Sequence, residues 1–163
     1  MNIEICQTDR FIPELIALIS QLDAYQEALY PDESNHAESI ENLAQATTFI
    51  YIAKREESIV GCAMLTLPET AYPEVKRVFV NPEYRGQGIA SLLMTAILEK
   101  ANLLKLANIY LETGSYQPEA IRLYKRFGFE LIPQFGHYQY DPLSIYMMKS
   151  LTANQSANGE TYR

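Results

Sequence analysis

A chain of 163 residues that is 48% apolar has enough material for one hydrophobic core and calls for a single domain without a linker. Its net charge of −7 argues against nucleic acid as a partner, because such binding needs clustered Lys and Arg facing the phosphates. Cys6 and Cys62 exclude a disulfide framework and read as small buried apolar residues, while His36 and His137 stand too far apart for a metal site, so no metal is expected.

Apolar runs are broken by polar residues well short of a membrane span, and the first residues lack the basic and apolar regions of a signal peptide. A cytoplasmic protein with no membrane partner is the expectation. Residues 2–6 alternate as a short strand, followed by a helix capped near Asp9 with Pro13 in or just before its first turn. Leu15, Ile16, Leu18, Ile19 and Leu22 form the apolar stripe of that helix, and Tyr30-Pro31-Asp32 breaks it. A weaker helical pattern covers 33–45. Strands at 48–54 and 58–67, joined by Arg55-Glu56-Glu57, make a hairpin.

The next stretch carries the clearest signal. Val75, Val78, Phe79 and Val80 read as a mostly buried strand that ends at Asn81-Pro82, and Arg85-Gly86-Gln87-Gly88-Ile89-Ala90 leads directly into a helix. That helix places Ile89, Leu92, Leu93, Ala96 and Ile97 on one buried stripe. Glycines that allow close backbone approach, followed by the free amides and dipole of a helix start, outline an anion site. A P-loop would need Lys-Ser or Lys-Thr after the last glycine, and Ile89-Ala90 stand there instead. A dinucleotide fingerprint would need Gly or Ala at Ser91. A purely structural turn is the plain alternative.

Further along, 108–112 is a strand, Gly114-Ser115 a turn, and Pro118 suits the first turn of a helix that Gly128 stops. Ala120, Ile121, Leu123 and Phe127 supply its core face, and Arg122, Lys125 and Arg126 a solvated one. Strands at 129–132 and 143–149 close the domain at 150, and the polar residues 151–163 read as a disordered tail.

The pattern Arg-x-x-Gly-x-Ala at Arg85, Gly88 and Ala90 resembles the acetyl-CoA pyrophosphate loop of the GNAT superfamily of N-acetyltransferases. The segment from Gln117 through Ala120, Leu123-Tyr124 and Gly128-Phe129 is similar to that family's second signature, in the family's order and separation. Leu111-Glu112-Thr113-Gly114 and Asp141-Pro142-Leu143-Ser144 look most like bacterial members. The resemblance implies a mixed α/β fold with a mostly antiparallel sheet of about seven strands flanked by helices. It also implies acetyl-CoA as acyl donor and an amine as acceptor, with a homodimer common among relatives.

By the same resemblance, Arg85, Gly86, Gln87, Gly88, Ile89 and Ala90 would hold the pyrophosphate, with Gln117 and Tyr124 also beside the cofactor. The thioester oxygen would be received by a backbone amide near Phe79 or Val80. Gln117 stands where the family often has Asn, and Gln is the poorer helix cap, a role Ser115 is able to take over. Glu74, at the start of the central strand, matches the catalytic glutamate of those members that use one, with ordered water as the alternative and Glu112 as a second candidate base. Tyr124 matches the tyrosine near the CoA sulfur, usually named as general acid. A phenol is a weaker acid than a thiol, so a hydrogen bond to the thiolate is the more conservative role. Strand alternation puts Lys76 and Arg77 on opposite faces, so one of them at most faces the acceptor. A cation there would favour a carboxylate-bearing amine. The segment 137–141 either walls the acceptor pocket with aromatics or forms an exposed hairpin. The reading is direct acetyl transfer to a primary amine of a small molecule in a ternary complex. The alternatives are a protein or peptide N-acetyltransferase and a non-catalytic acyl-CoA sensor.

Overall fold

The computed structural model describes residues 2–69 and 72–151. Strand β1 (Glu4–Thr8) leads to helix α1 (Pro13–Leu29), a 3-10 turn (Asp32–Ser34) and the short helix α2 (Ile40–Gln45). Strands β2 (Thr47–Arg55), β3 (Ser58–Leu67) and β4 (Glu74–Val80) follow, then a 3-10 turn (Pro82–Tyr84) and helix α3 (Ile89–Leu103). Strand β5 (Asn108–Gly114), helix α4 (Pro118–Arg126), β6 (Glu130–Ile132) and β7 (Ser144–Ser150) complete the chain. One seven-stranded sheet runs β1-β2-β3-β4-β5-β7-β6, antiparallel except where β4 meets β5. Fold class and element order agree with the sequence reading.

Each face of the sheet buries its own cluster. On one, Ile89, Leu93, Met94, Ile97 and Ala101 of α3 and Leu123 of α4 pack on Val60, Val75, Val80 and Leu111. On the other, Leu15, Leu18, Ile19 and Leu22 of α1 pack with Leu43 on Ile50, Cys62, Met64 and Phe79. Both helices thus bury a stripe against the sheet.

Several expectations shift. Helix α1 begins at Ile12 without a side-chain cap rather than near Asp9, because Pro13 at its first position has the φ a helix needs and no amide to satisfy. The second helical stretch shrinks to α2, capped by Ser39, whose Oγ accepts from the Asn42 amide. Residues 35–39 stay outside it, held through side chains of other elements. On α3, Leu92 is exposed and Met94 buried, which rotates the inward stripe from the expected one; on α1, Ile16 points outward. Cys62 is buried, whereas Cys6 is only half-buried at the edge of the core. Ser150 ends β7 and Leu151 is buried, its amide donating to the Ala107 carbonyl, so packing extends just past 150. The remainder of the expected tail, 152–163, lies outside the described residues. Among the described residues no helix is long and apolar enough to cross a membrane.

Candidate active site

Strands β4 and β5 are parallel, and their register contains one pair, Glu74 with Tyr110, supported by the Tyr110 amide donating to the Pro73 carbonyl at 2.9 Å. Beyond that pair no ladder joins them, and the sheet splits. Two cavities occupy the split and share Leu22, Val78, Gln117, Ala120 and Tyr124 as walls.

The larger cavity is a cleft of about 560 Å³ between the β4–α3 turn and α4. Phe79, Val80, Arg85, Gly86, Gly88, Ile89 and Ala90 line one side, and Gln117 and Tyr124 the other. Gln87 alone among the expected cofactor residues is absent from this wall; its side chain is exposed. Gly86 and Gly88 both take φ of +78°, and a β-carbon at either would meet nothing within 4 Å. Backbone conformation, not crowding, is therefore what calls for glycine there. Gly88 is the N-cap of α3, so the free amides of the first turn open towards the cleft. The Arg85 guanidinium is steadied by an Nε donation to the Val80 carbonyl at 3.2 Å and lies 5.6 Å from the Phe79 ring centre and 5.8 Å from that of Tyr25.

Across the cleft, Gln117 is the N-cap residue of α4 yet makes no side-chain cap bond, and Pro118 at the next position removes one amide that would need it. Ser115 does not take over that role either. The Gln117 side chain instead accepts from the Tyr30 hydroxyl at 3.3 Å, and the same hydroxyl accepts from the Tyr116 amide at 3.1 Å. The Tyr30 and Tyr116 rings stack at 5.3 Å. Tyr124 is buried at the wall common to both cavities, and burial together with the Glu112 charge raises its phenol well above the usual range. The phenol thus stays protonated and available as a hydrogen-bond donor.

The second cavity is small, about 110 Å³, and lies between β4, β5 and residues 34–38, with Tyr138 and Leu143 closing it. Glu38, Glu74 and Glu112 face it together with Lys76 and Arg77. The presence of both cations overturns strict alternation along β4. A bulge sits opposite Cys62 and Met64, with Arg77 at φ +57°, so Lys76 and Arg77 come to the same side while Val78 turns to the α3 face. Both cations are engaged. Lys76 Nζ is 2.9 Å from Glu38 Oε2 and 3.5 Å from Glu74 Oε2. Arg77 pairs with Asp23 of α1 and donates to the Glu38 carbonyl at 2.6 Å.

Glu74 is buried, with Tyr138 donating to its Oε2 at 2.5 Å. Desolvation raises its pKa, and Lys76 and the Tyr138 hydrogen bond pull the other way. Glu112 is also raised by desolvation, against the Ser144 hydroxyl that donates to it at 3.1 Å. A carboxylate raised in this way is a stronger base than an exposed one. Tyr138 walls the cavity and Tyr140 is exposed, so 137–141 does both of the things expected of it in part. Tyr30 and Glu38 gave no sequence signal, because each reaches the site through contacts distant in the chain.

A split sheet with a glycine turn into a helix on one lip and a buried tyrosine between its two cavities is an architecture shared with acyl-CoA N-acyltransferases. The family model described as Acetyltransferase (GNAT) family matches residues 15–129, and the chain belongs to that family of N-acetyltransferases. It is 38% identical over 151 residues to a protein named IAA acetyltransferase from Azospirillum brasilense, covering 92% of this chain and 99% of that one. A crystal structure from Klebsiella pneumoniae, described as an acyl-CoA N-acyltransferase, superposes with a TM-score of 0.76 at 34% identity, covering 91% of this chain and 97% of the other. A GNAT family acetyltransferase from Elizabethkingia anophelis with acetyl-CoA bound shares the fold with a TM-score of 0.66 at 20% identity, covering 92% and 99% of the two chains.

Proposed function

We propose that the protein transfers an acetyl group from acetyl-CoA directly to a primary amine of a small molecule, both substrates being bound together. The observation that carries this reading is the meeting of two unequal cavities at Tyr124: a cleft large enough for the donor, and a small carboxylate-lined cavity roofed by residues 34–38 and Tyr138. A cavity of about 110 Å³ suits a small amine better than a peptide strand. The two carboxylates with raised pKa suit an acceptor that arrives as an ammonium ion. With Lys76 and Arg77 already paired, a carboxylate on the acceptor finds no free cation among the described residues of this cavity.

Acetyl-CoA supplies the activated thioester. The turn at 85–90 binds its pyrophosphate through backbone amides, and Arg85 adds charge at the mouth. Deprotonating an alkylammonium of pKa about 10.4 at pH 7 costs roughly 4 to 5 kcal/mol, and Glu74 is the group assigned to take that proton. A backbone amide at Phe79 or Val80 receives the carbonyl oxygen, the contact that matters most in acyl transfer. Tyr124, with its raised pKa, donates a hydrogen bond to the departing sulfur rather than surrendering its proton. Holding both substrates in line supplies much of the remaining acceleration.

The test has two stages. Thermal shift with acetyl-CoA, CoA and NAD examines the cleft: a ligand at a hundred times its Kd stabilises by about 2.7 kcal/mol, and the shift is expected with the CoA species only. Thiol release is then followed with small primary amines and with peptides. Turnover of peptides in preference to small amines overturns the acceptor assignment, and CoA binding without turnover of any amine overturns the catalytic one.

A further inference from the structure

We propose that Tyr138 is a positioning residue for Glu74: its hydroxyl, together with Lys76, occupies Oε2 of the carboxylate and leaves Oε1 to receive the proton of the acceptor amine. The inference rests on the acceptor reading of the small cavity. Tyr138 Oη donates to Glu74 Oε2 at 2.5 Å, and Lys76 Nζ lies 3.5 Å from the same oxygen. That donor distance is typical of a hydroxyl bonded to an ionised carboxylate. A carboxylate has two acceptor oxygens, and with one held from both the strand and the loop the other is the one available to a third group. The carboxylate cannot turn away without giving up both contacts.

Tyr138 is itself fixed from several sides, which is what a positioning role requires. Its ring meets Phe135 edge-on at 5.2 Å, His36 edge-on at 5.8 Å and Tyr146 at 5.5 Å, and stacks on His137 at 4.6 Å. His36 is tied in turn to Asp141 at 2.9 Å, and Tyr146 Oη donates to the Gln139 carbonyl at 3.1 Å. The loop between β6 and β7 is therefore anchored before and after Tyr138. The titratable groups around Glu74 are Lys76 on its own strand, Tyr138 and His137 on this loop, Glu112 and the ladder partner Tyr110 on β5, and Glu38 behind Lys76.

In the step so described, an N–H bond of the ammonium breaks, an O–H bond forms at Oε1, and nitrogen keeps the electron pair that attacks the thioester. Glu74 ends as a neutral acid and returns its proton to solvent between turnovers. Tyr138 keeps its own proton throughout. Its hydrogen bond favours the ionised carboxylate, so removing it must raise the Glu74 pKa. A wall residue with no such role would leave that pKa alone.

The test is a carbon-13 NMR titration of the whole chain labelled at glutamate carboxyls, with the Glu74 signal identified by its loss in Glu74→Gln. Tyr138→Phe, which keeps the ring packing, is expected to move the Glu74 midpoint upward by about one pH unit, the scale of one hydrogen bond to a charged group. Lys76→Met moves it in the same direction and serves as a second variant. The acid limb of acetyl transfer to ethanolamine, benzylamine or putrescine, whichever turns over, is expected to move in step. An unmoved midpoint in Tyr138→Phe overturns the proposal while leaving Glu74 as base. A midpoint that moves while the acid limb does not overturns it together with the assignment of Glu74.

Discussion

The hydroxyl of Tyr30 occupies the space that a β-carbon would need at Gly114, at a separation of 1.8 Å. Helix α1 can close on the end of β5 only because residue 114 has no side chain. Gly114→Ala is expected to displace Tyr30, break its contacts with the Tyr116 amide and Gln117, and cost about 1–3 kcal/mol, as overpacked sites do. Thermal denaturation checks the cost. The added shift produced by acetyl-CoA is expected to shrink as well, since Gln117 lines the cleft.

Gly88→Ala separates backbone conformation from space. Nothing crowds the added methyl group, so the cost is that of a left-handed φ, about 1–2 kcal/mol. A reduced Tm with a still weaker response to CoA is the expected pair of results, because relaxing that strain realigns the first amides of α3.

Glu74→Gln is expected to lower kcat/KM for the amine by about 10² to 10⁴-fold, the usual range for loss of a general base, and to remove the acid limb of the rate profile. Tyr124→Phe should lower kcat with little change in the KM for acetyl-CoA, because the hydroxyl acts on the departing sulfur. Steady-state kinetics across pH measures both.

Burial raises the Glu112 pKa in the folded chain above its unfolded value, so the folded state favours the protonated acid. The stabilising effect of that preference is complete below the unfolded pKa, about 4.3, and is lost as pH rises through the folded value. Glu112→Gln, neutral at every pH, should match the wild type near pH 4 and denature at a higher temperature at pH 7 to 8. Each unit of raised pKa corresponds to about 1.4 kcal/mol, or about 3–6 °C in Tm for a domain of this size. Melting curves at the two pH values decide it, and a Tm difference independent of pH contradicts the burial cause.

Local pattern was enough for much of this. Residues 85–90 read as a tight turn into a helix because the glycine spacing and the following apolar period are both short-range properties, and Pro118 and Gly128 marked the ends of α4 for the same reason. What escaped depends on distant partners. Residues 35–39 have some helical period, but Arg77, 39 residues away from Glu38, holds them extended. Leu92 fits a helical stripe, yet the angle at which α3 meets the sheet selects Met94 instead. The β4 bulge needs knowledge of β3, and although a pocket wall is one reading of 137–141, the bond from Tyr138 to Glu74 spans 64 residues and has no local signal.

The bulge at Arg77 has a further meaning for how this strand divides its labour. It acts as a phase change of one residue: before it, even-numbered side chains look toward α1, and after it the odd-numbered Phe79 does. Deleting Arg77 would restore the simple alternation and leave every other facing as it is, with Lys76 and Phe79 toward α1 and Val75, Val78 and Val80 toward α3. The one extra residue thus adds a second cation to the α1 side of the split sheet without changing which of its neighbours along β4 face either helix.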